Sequence, residues 1–333
     1  MRLLMIAICV AALLWGGYWF VGAFTLERSL VGWIEDRRAE GWAADYAEVK
    51  TRGFPNRFDT TLTDLALADP ETGVAWTAPF FQVLSLSYQP YHVIAVWPDM
   101  QTLAFPDEKL AIGAGEMKGS IVFEPRTSLP LDRTQIALAS VSLASDQGWD
   151  AALREGRFAM RQTAEIENSY DIGFEALGLR PARDWLARIA SATDLPDEIA
   201  QMKIDATVGF DAPWDRAAIE VARPQPRNID LKLIKATWGD LDLQVAGKVV
   251  VDADGVPEGD IAFQARNWRD MLELAVRSGA LPDDLRPTVE RGLEVLAGLS
   301  GNPDAIDAKL RLSGGLIRVG PIPIGTAPRL ILR

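Results

Sequence analysis

LDLQVAGKVVVDADGVPEGDIAFQAR, residues 241–266, reads as two strands and the turn between them. Leu241, Leu243, Val245, Val249 and Val251 share one parity, the period of two that places alternate side chains on one covered face. Asp252-Ala253-Asp254-Gly255 holds the residue types that reverse a chain, and Asp260 to Arg266 returns. An antiparallel hairpin is expected here, and it sets the reading of what lies on either side.

Upstream, sheet is read at Lys203–Phe210 and Asn228–Trp238, and from Ala43 to about Glu165. In that longer stretch Asn56 to Leu62 sets Phe58, Thr60 and Leu62 against Arg57, Asp59 and Thr61, and short apolar runs follow between Asp69-Pro70, Gln89-Pro90, Pro98-Asp99, Pro106-Asp107 and Glu124-Pro125. Pro181 to Ala192 breaks the alternation with Trp185, Leu186 and Ile189 on one side of a helix, and Asp197 to Met202 reads as a second short piece. Downstream, two helices are expected at Trp268–Ser278 and Asp283–Leu299, with Gly279 and Gly301 as stops. Strands at Ala305–Leu312 and Leu316–Val319 follow, then an apolar turn at Gly320–Gly325 before Leu330–Leu332. The fold expected is mainly β (α+β): a large, antiparallel, curved sheet domain with helices near its middle and in its last third.

The start of the chain is different. LLMIAICVAALLWGGYWFVGAF, Leu3 to Phe24, holds no charged residue. At about 1.5 Å per residue it is long enough to cross a hydrocarbon core of roughly 30 Å. Trp15, Tyr18 and Trp19 gather toward its far end, where amphipathic rings favour the headgroup layer. Two fates stay open: an uncleaved signal anchor, or a signal peptide cut after the small residues Val21, Gly22 and Ala23. Beyond it Leu26, Leu30, Trp33 and Ile34 mark one face of a juxtamembrane helix that Thr25 caps and Gly41 stops. The organisation expected is a span at 1–24, an amphipathic helix at 25–42, a β region at 43–170, a helical connection at 171–202, and a second β region with two helices at 203–333.

Chemistry is sparse. The net charge of −12 opposes nucleic acid and anionic lipid surfaces. Cys9 is the only cysteine, so no internal disulfide forms, and His92 is the only histidine, so a His-rich metal site is excluded. A hydrolase would have to use His92, and no G-x-S-x-G elbow is present. Gly113 to Ser120 lacks the order of a phosphate loop, because Lys118 precedes Gly119 and a strand follows; a hairpin turn is expected. Asp252 to Gly255 lacks the later ligands of a calcium loop, since Asp260 is not the required glutamate. With 46 acidic residues, carboxylate pairs select nothing. The sequence names no catalytic residue, metal or cofactor. The aromatic residues Trp76, Phe81 and Trp97 read as ordinary core or as the lining of a groove able to hold an acyl chain.

The span, Gly53-Phe54-Pro55-Asn56-Arg57-Phe58-Asp59, Tyr91-His92-Val93-Ile94-Ala95-Val96-Trp97-Pro98, Asp254-Gly255 with Gly259, Asn267-Trp268 and Gly320 to Gly325 together resemble the bacterial family catalogued as domain of unknown function 2125, over nearly the whole chain. More distantly, the layout of an inner-membrane anchor followed by a β-rich envelope domain is similar to the AsmA and TamB group, whose folded sheets form grooves implicated in lipid traffic. The resemblance implies a single-pass protein of the bacterial inner membrane with its C-terminal domain in the periplasm. Three roles are weighed: a non-enzymatic envelope protein binding lipid or another apolar ligand in a sheet groove, an interaction scaffold for other envelope proteins, and a hydrolase using His92.

Overall fold

The computed structural model describes all residues except 165, 191–194, 280, 282, 301, 321 and 333. Strand accounts for 51% and helix for 24%, so the period-two pattern dominates as expected, and the sheet is antiparallel. The chain forms two compact units: 1–123 with 136–148, and 124–135 with 149–333.

The first unit opens with α1 (Arg2–Ala39), one uninterrupted helix of 38 residues. It is long and apolar enough to span a membrane. The helix continues past Phe24 as read, but the cap read at Thr25 is not made: its hydroxyl donates back to the Val21 carbonyl at 2.8 Å, inside the helix. Gly41 follows the helix end with φ +95. The strands are β1 (Ala43–Asp45), β2 (Glu48–Arg52), β3 (Arg57–Ala68), β4 (Ala75–Leu86), β5 (Gln89–Val96), β6 (Met100–Phe105), β7 (Glu108–Gly113), β8 (Glu116–Phe123) and, from residue 136 on, β9 (Leu131–Ser145). One edge of β3 carries β1 and β2, and the other carries β4. The far edge of β4 is shared by β6 and β5. β5 carries β8, and β7 lies between β6 and β9. Gly113–Ser120 therefore links strands with different partners, not the two arms of one hairpin.

Asp64 in β3 takes a left-handed φ of +50 opposite the stretch holding Pro79, which has no N–H to lose from the ladder. Parity switches there, so Leu62, Leu65 and Leu67 face one way and pack with Ile34 and Ala44. Of the helix face expected to be apolar, Leu26, Leu30 and Ile34 pack on the sheet. Trp33 is instead exposed, with the Arg37 guanidinium over its ring. Between β2 and β3, Gly53 has φ +100, and a Cβ there would stand 2.7 Å from Arg57 Cβ and 2.9 Å from its carbonyl oxygen. Gly53→Val should cost about 2 kcal/mol through a strained turn, lowering the Tm of the detergent-solubilised chain by several degrees. An unchanged Tm would refute the strained turn.

The second unit is a meander in which each strand pairs with the next: β10 (Asp150–Gln162), β11 (Ser169–Arg180), β12 (Ile199–Phe210), β13 (Pro226–Trp238), β14 (Leu241–Val251), β15 (Pro257–Arg266), β16 (Ala305–Ser313), β17 (Leu316–Val319) and β18 (Ile322–Thr326). The hairpin read at 241–266 is β14–β15, with Val251 opposite Pro257. Residues 171–180 of the expected helical connection are strand β11, whose alternation is diluted by Gly173 and Gly178. Helix α2 (Arg183–Ala190) follows it, and α3 (Arg216–Glu220), capped by the Asp215 carboxylate, follows β12. Residues 199–202, read as helical, open β12. α4 (Trp268–Arg277) and α5 (Arg286–Ser300) lie between β15 and β16. The stop read at Gly301 and Pro321 of the apolar turn lie outside the described residues. From Ile322 on, the stretch read as an apolar turn is instead strand β18.

Candidate functional site

The three aromatic residues singled out in the sequence come together in the first unit. Trp76 meets Phe81 edge to face at 5.6 Å, and Phe81 meets Trp97 at 5.3 Å. Trp76 and Phe81 pack on the core of Ile34, Leu62 and Leu65. The Trp76 indole donates to Gln101 Oε1 at 2.7 Å, which satisfies its polar tip inside that packing. All three rings are half-buried.

A larger apolar surface lies in the second unit. Strand registers set Phe158, Phe174, Ile204, Ile234, Val245 and Phe263 side by side across β10 to β15. One step along the strands, Met160, Ile172, Ala206, Leu231, Gly247, Ile261 and Leu310 form a parallel row. Because side chains alternate, both rows share one face. A bulge between Leu231 and Ile234 keeps β13 in step with its neighbours on that face. The opposite face is charged. Arg161, Asp171, Thr207, Asp230, Lys248, Asp260 and Arg311 are consecutive cross-strand neighbours there. They are joined by ion pairs such as Lys248–Asp230 at 3.1 Å and Arg311–Asp260 at 2.8 Å. The Thr207 hydroxyl donates to Asp171 at 2.7 Å, and with Lys232 and Arg161 nearby it holds that carboxyl below the usual carboxylate range.

Both ends of the apolar face are closed by packing. At one end α2, α4 and α5 lay Leu186, Leu272, Val289 and Ala297 on Trp238, Leu241, Ala265 and Ile306. At the other, Ala327 and Leu330 pack on Val249, Val251 and Leu312. At the β10 edge Tyr170 is fully buried beside Phe210, and burial pushes its phenol above its ordinary value. Between these covers Phe174, Ile204, Ile234 and Val245 keep part of their surface exposed. The result is an apolar trough bounded by packed ends on a sheet whose other side is wet. Sequence reading one strand at a time recovered this parity only in β14; it becomes a surface once register aligns seven strands.

His92 stands on β5 with its Nε2 3.0 Å from Ser120 Oγ of β8. Among the described residues no carboxylate is hydrogen-bonded to the ring, so the pair lacks the orienting acid of a hydrolytic triad. The Asp252 carboxylate accepts the Asp254 and Val256 amides at 2.9 and 2.8 Å, making the 252–255 loop a turn closed on itself. Among the described residues no group of three or more potential metal ligands is assembled.

No curated protein and no solved structure matches this chain. The family model described as "Uncharacterized protein conserved in bacteria (DUF2125)" matches residues 19–328, from the end of the apolar run to the last strand. The chain belongs to that family.

Proposed function

We propose that this protein is a non-enzymatic envelope component, held in the bacterial inner membrane by α1 with its remainder in the periplasm, that shelters the hydrocarbon part of a lipid against the apolar face of the second unit. The observation that carries the reading is the double apolar row across β10–β16. A sheet face of that extent, backed by a charged face and closed at both ends, offers an extended apolar ligand a continuous surface. It needs no catalytic group.

Adjacent positions on β12 test it. Ile204 lies in the apolar row, and Lys203 points to the charged side. A photoreactive phenylalanine analogue at each position, irradiated in intact cells, should give adducts of lipid mass at 204 and none at 203. Protein adducts at 204 in place of lipid would transfer the reading to a scaffold for another envelope protein. Equal lipid labelling at both positions would refute the trough.

A further inference from the structure

The first unit holds a second apolar space, alongside the middle of the long helix. A crevice of about 330 Å³ separates one stripe of α1 from the face of β3–β5. Tyr18, Gly22, Leu26 and Leu30 form its helix wall, and Phe58 and Val93 stand among the residues of its sheet wall. The volume equals roughly ten groups of water or methylene size at about 30 Å³ each. Water is poorly served there, because three of the four hydroxyls in the lining, all but that of Ser85, are engaged elsewhere. Tyr18 donates to the Ser87 carbonyl at 2.6 Å, Thr25 to the Val21 carbonyl at 2.8 Å, and Thr60 pairs with Thr51 at 2.9 Å. A space lined mostly by apolar carbon, with most of its hydroxyls satisfied, favours hydrocarbon over water.

Its lip indicates the source. Val21 lines the crevice yet is 67% exposed, and Phe20 and Phe24 beside it are exposed as well. All three belong to the charge-free run that begins at Leu3. The mouth therefore opens on the same apolar helix surface that would face bilayer hydrocarbon, and a chain can enter without crossing water. One turn above Phe24 the exposed Arg28 holds its guanidinium over that ring, a cation at the level where a phosphate would sit. We propose that this crevice receives one acyl chain of a bilayer phospholipid, with its phosphate at Arg28. The site is distinct from the trough of the second unit, and each can fail while the other stands.

The test uses the full chain in nanodiscs containing a phospholipid with a diazirine near the end of one acyl chain. After irradiation and digestion, adducts are expected on Val83, Ser85 or Val93 as well as on the free helix from Leu3 to Leu14. Val83→Trp fills the crevice from the sheet, and Thr25→Phe fills it from the helix. Each should cut the strand adducts at least tenfold and leave those on 3–14 unchanged. Should Val83→Trp lower the Tm, Thr25→Phe carries the comparison, because Thr25 is exposed. Arg28→Gln should weaken strand labelling by the phospholipid probe but leave that by a diacylglycerol probe unaltered. Wild-type adducts confined to 3–14, or strand adducts that survive both filling substitutions, would overturn the proposal.

Discussion

Truncating Trp268 to alanine is expected to cost about 3–5 kcal/mol, the range for removing a fully buried large aromatic residue. Trp268 is 2% exposed and opens α4. Its ring packs in the core that also holds Leu272, Val289, Ala297 and Ile306. The indole donates to the Pro303 carbonyl at 3.0 Å, and the Arg269 guanidinium lies 4.4 Å from the ring centre. Losing the ring leaves a void between two helices and the sheet, and strips the Pro303 carbonyl of its indole donor. Asn267 adds to the rigidity of the site: it holds a left-handed φ of +54, and its amide donates to the Asp304 carbonyl at 2.7 Å, so the helix start cannot slide to fill the gap. For a unit of this size the loss corresponds to a Tm fall on the order of ten degrees. Trp268→Phe should fall between wild type and alanine, keeping most of the packing while losing the hydrogen bond. A change below about 1 kcal/mol for the alanine variant would show that the helices do not depend on this ring.

Gly259→Val should be at least as damaging, for a backbone reason. A Cβ at Gly259 would stand 2.1 Å from the Lys248 carbonyl oxygen and 3.0 Å from Val249 Cα, on the strand it pairs with. Those atoms belong to the ladder itself, so relief requires β14 and β15 to part. Gly259 also has φ +155. We expect a loss greater than about 3 kcal/mol, seen as a collapse in the yield of protease-resistant chain or a Tm fall exceeding that of Trp268→Ala. Gly173→Ala supplies the contrast: nothing lies within 4 Å of its Cβ position, and no left-handed φ is required. That substitution should be neutral or slightly stabilising. Similar Tm values for the two variants would refute the close approach of β14 and β15.

Elements written in local pattern were readable from the chain. The β14–β15 hairpin has strict parity and a turn whose aspartate carboxylate closes it, so composition and geometry agree. Leu26, Leu30 and Ile34 were legible as a helix face because their spacing is set by one turn of helix. Other features depend on partners distant in sequence. The parity switch at Asp64 is a conformational choice of one residue that no alternation announces. β11 was hidden because glycine at 173 and 178 removes side chains from the pattern, although the register with β10 and β12 makes the strand plain. Trp15, Tyr18 and Trp19 carry the composition of a headgroup belt. Their polar tips in fact find the Pro55, Ser87 and Arg57 carbonyls at 3.1, 2.6 and 2.7 Å. An indole or phenol satisfies water, a headgroup or a peptide oxygen equally well, and only the fold decides among them. The trough was illegible for a related reason: each strand contributes two or three ordinary apolar residues, and the surface exists only as their sum.

Those three hydrogen bonds also fix α1 to the first unit. A span joined to its domain by loose chain acts as a leash, and the domain can tumble and stand clear of the membrane. Here the helix is clamped to the first unit from Trp15 to Ile34, over about 29 Å of its length at 1.5 Å per residue. It is a mast built into the hull. Where α1 spans a bilayer, the first unit keeps one heading relative to the membrane normal. The same clamp divides the upper part of the apolar run into a side packed on protein and a side left open. Phe20, Val21 and Phe24 lie exposed on the second of these, so any neighbour of α1 at this level has that side from which to approach.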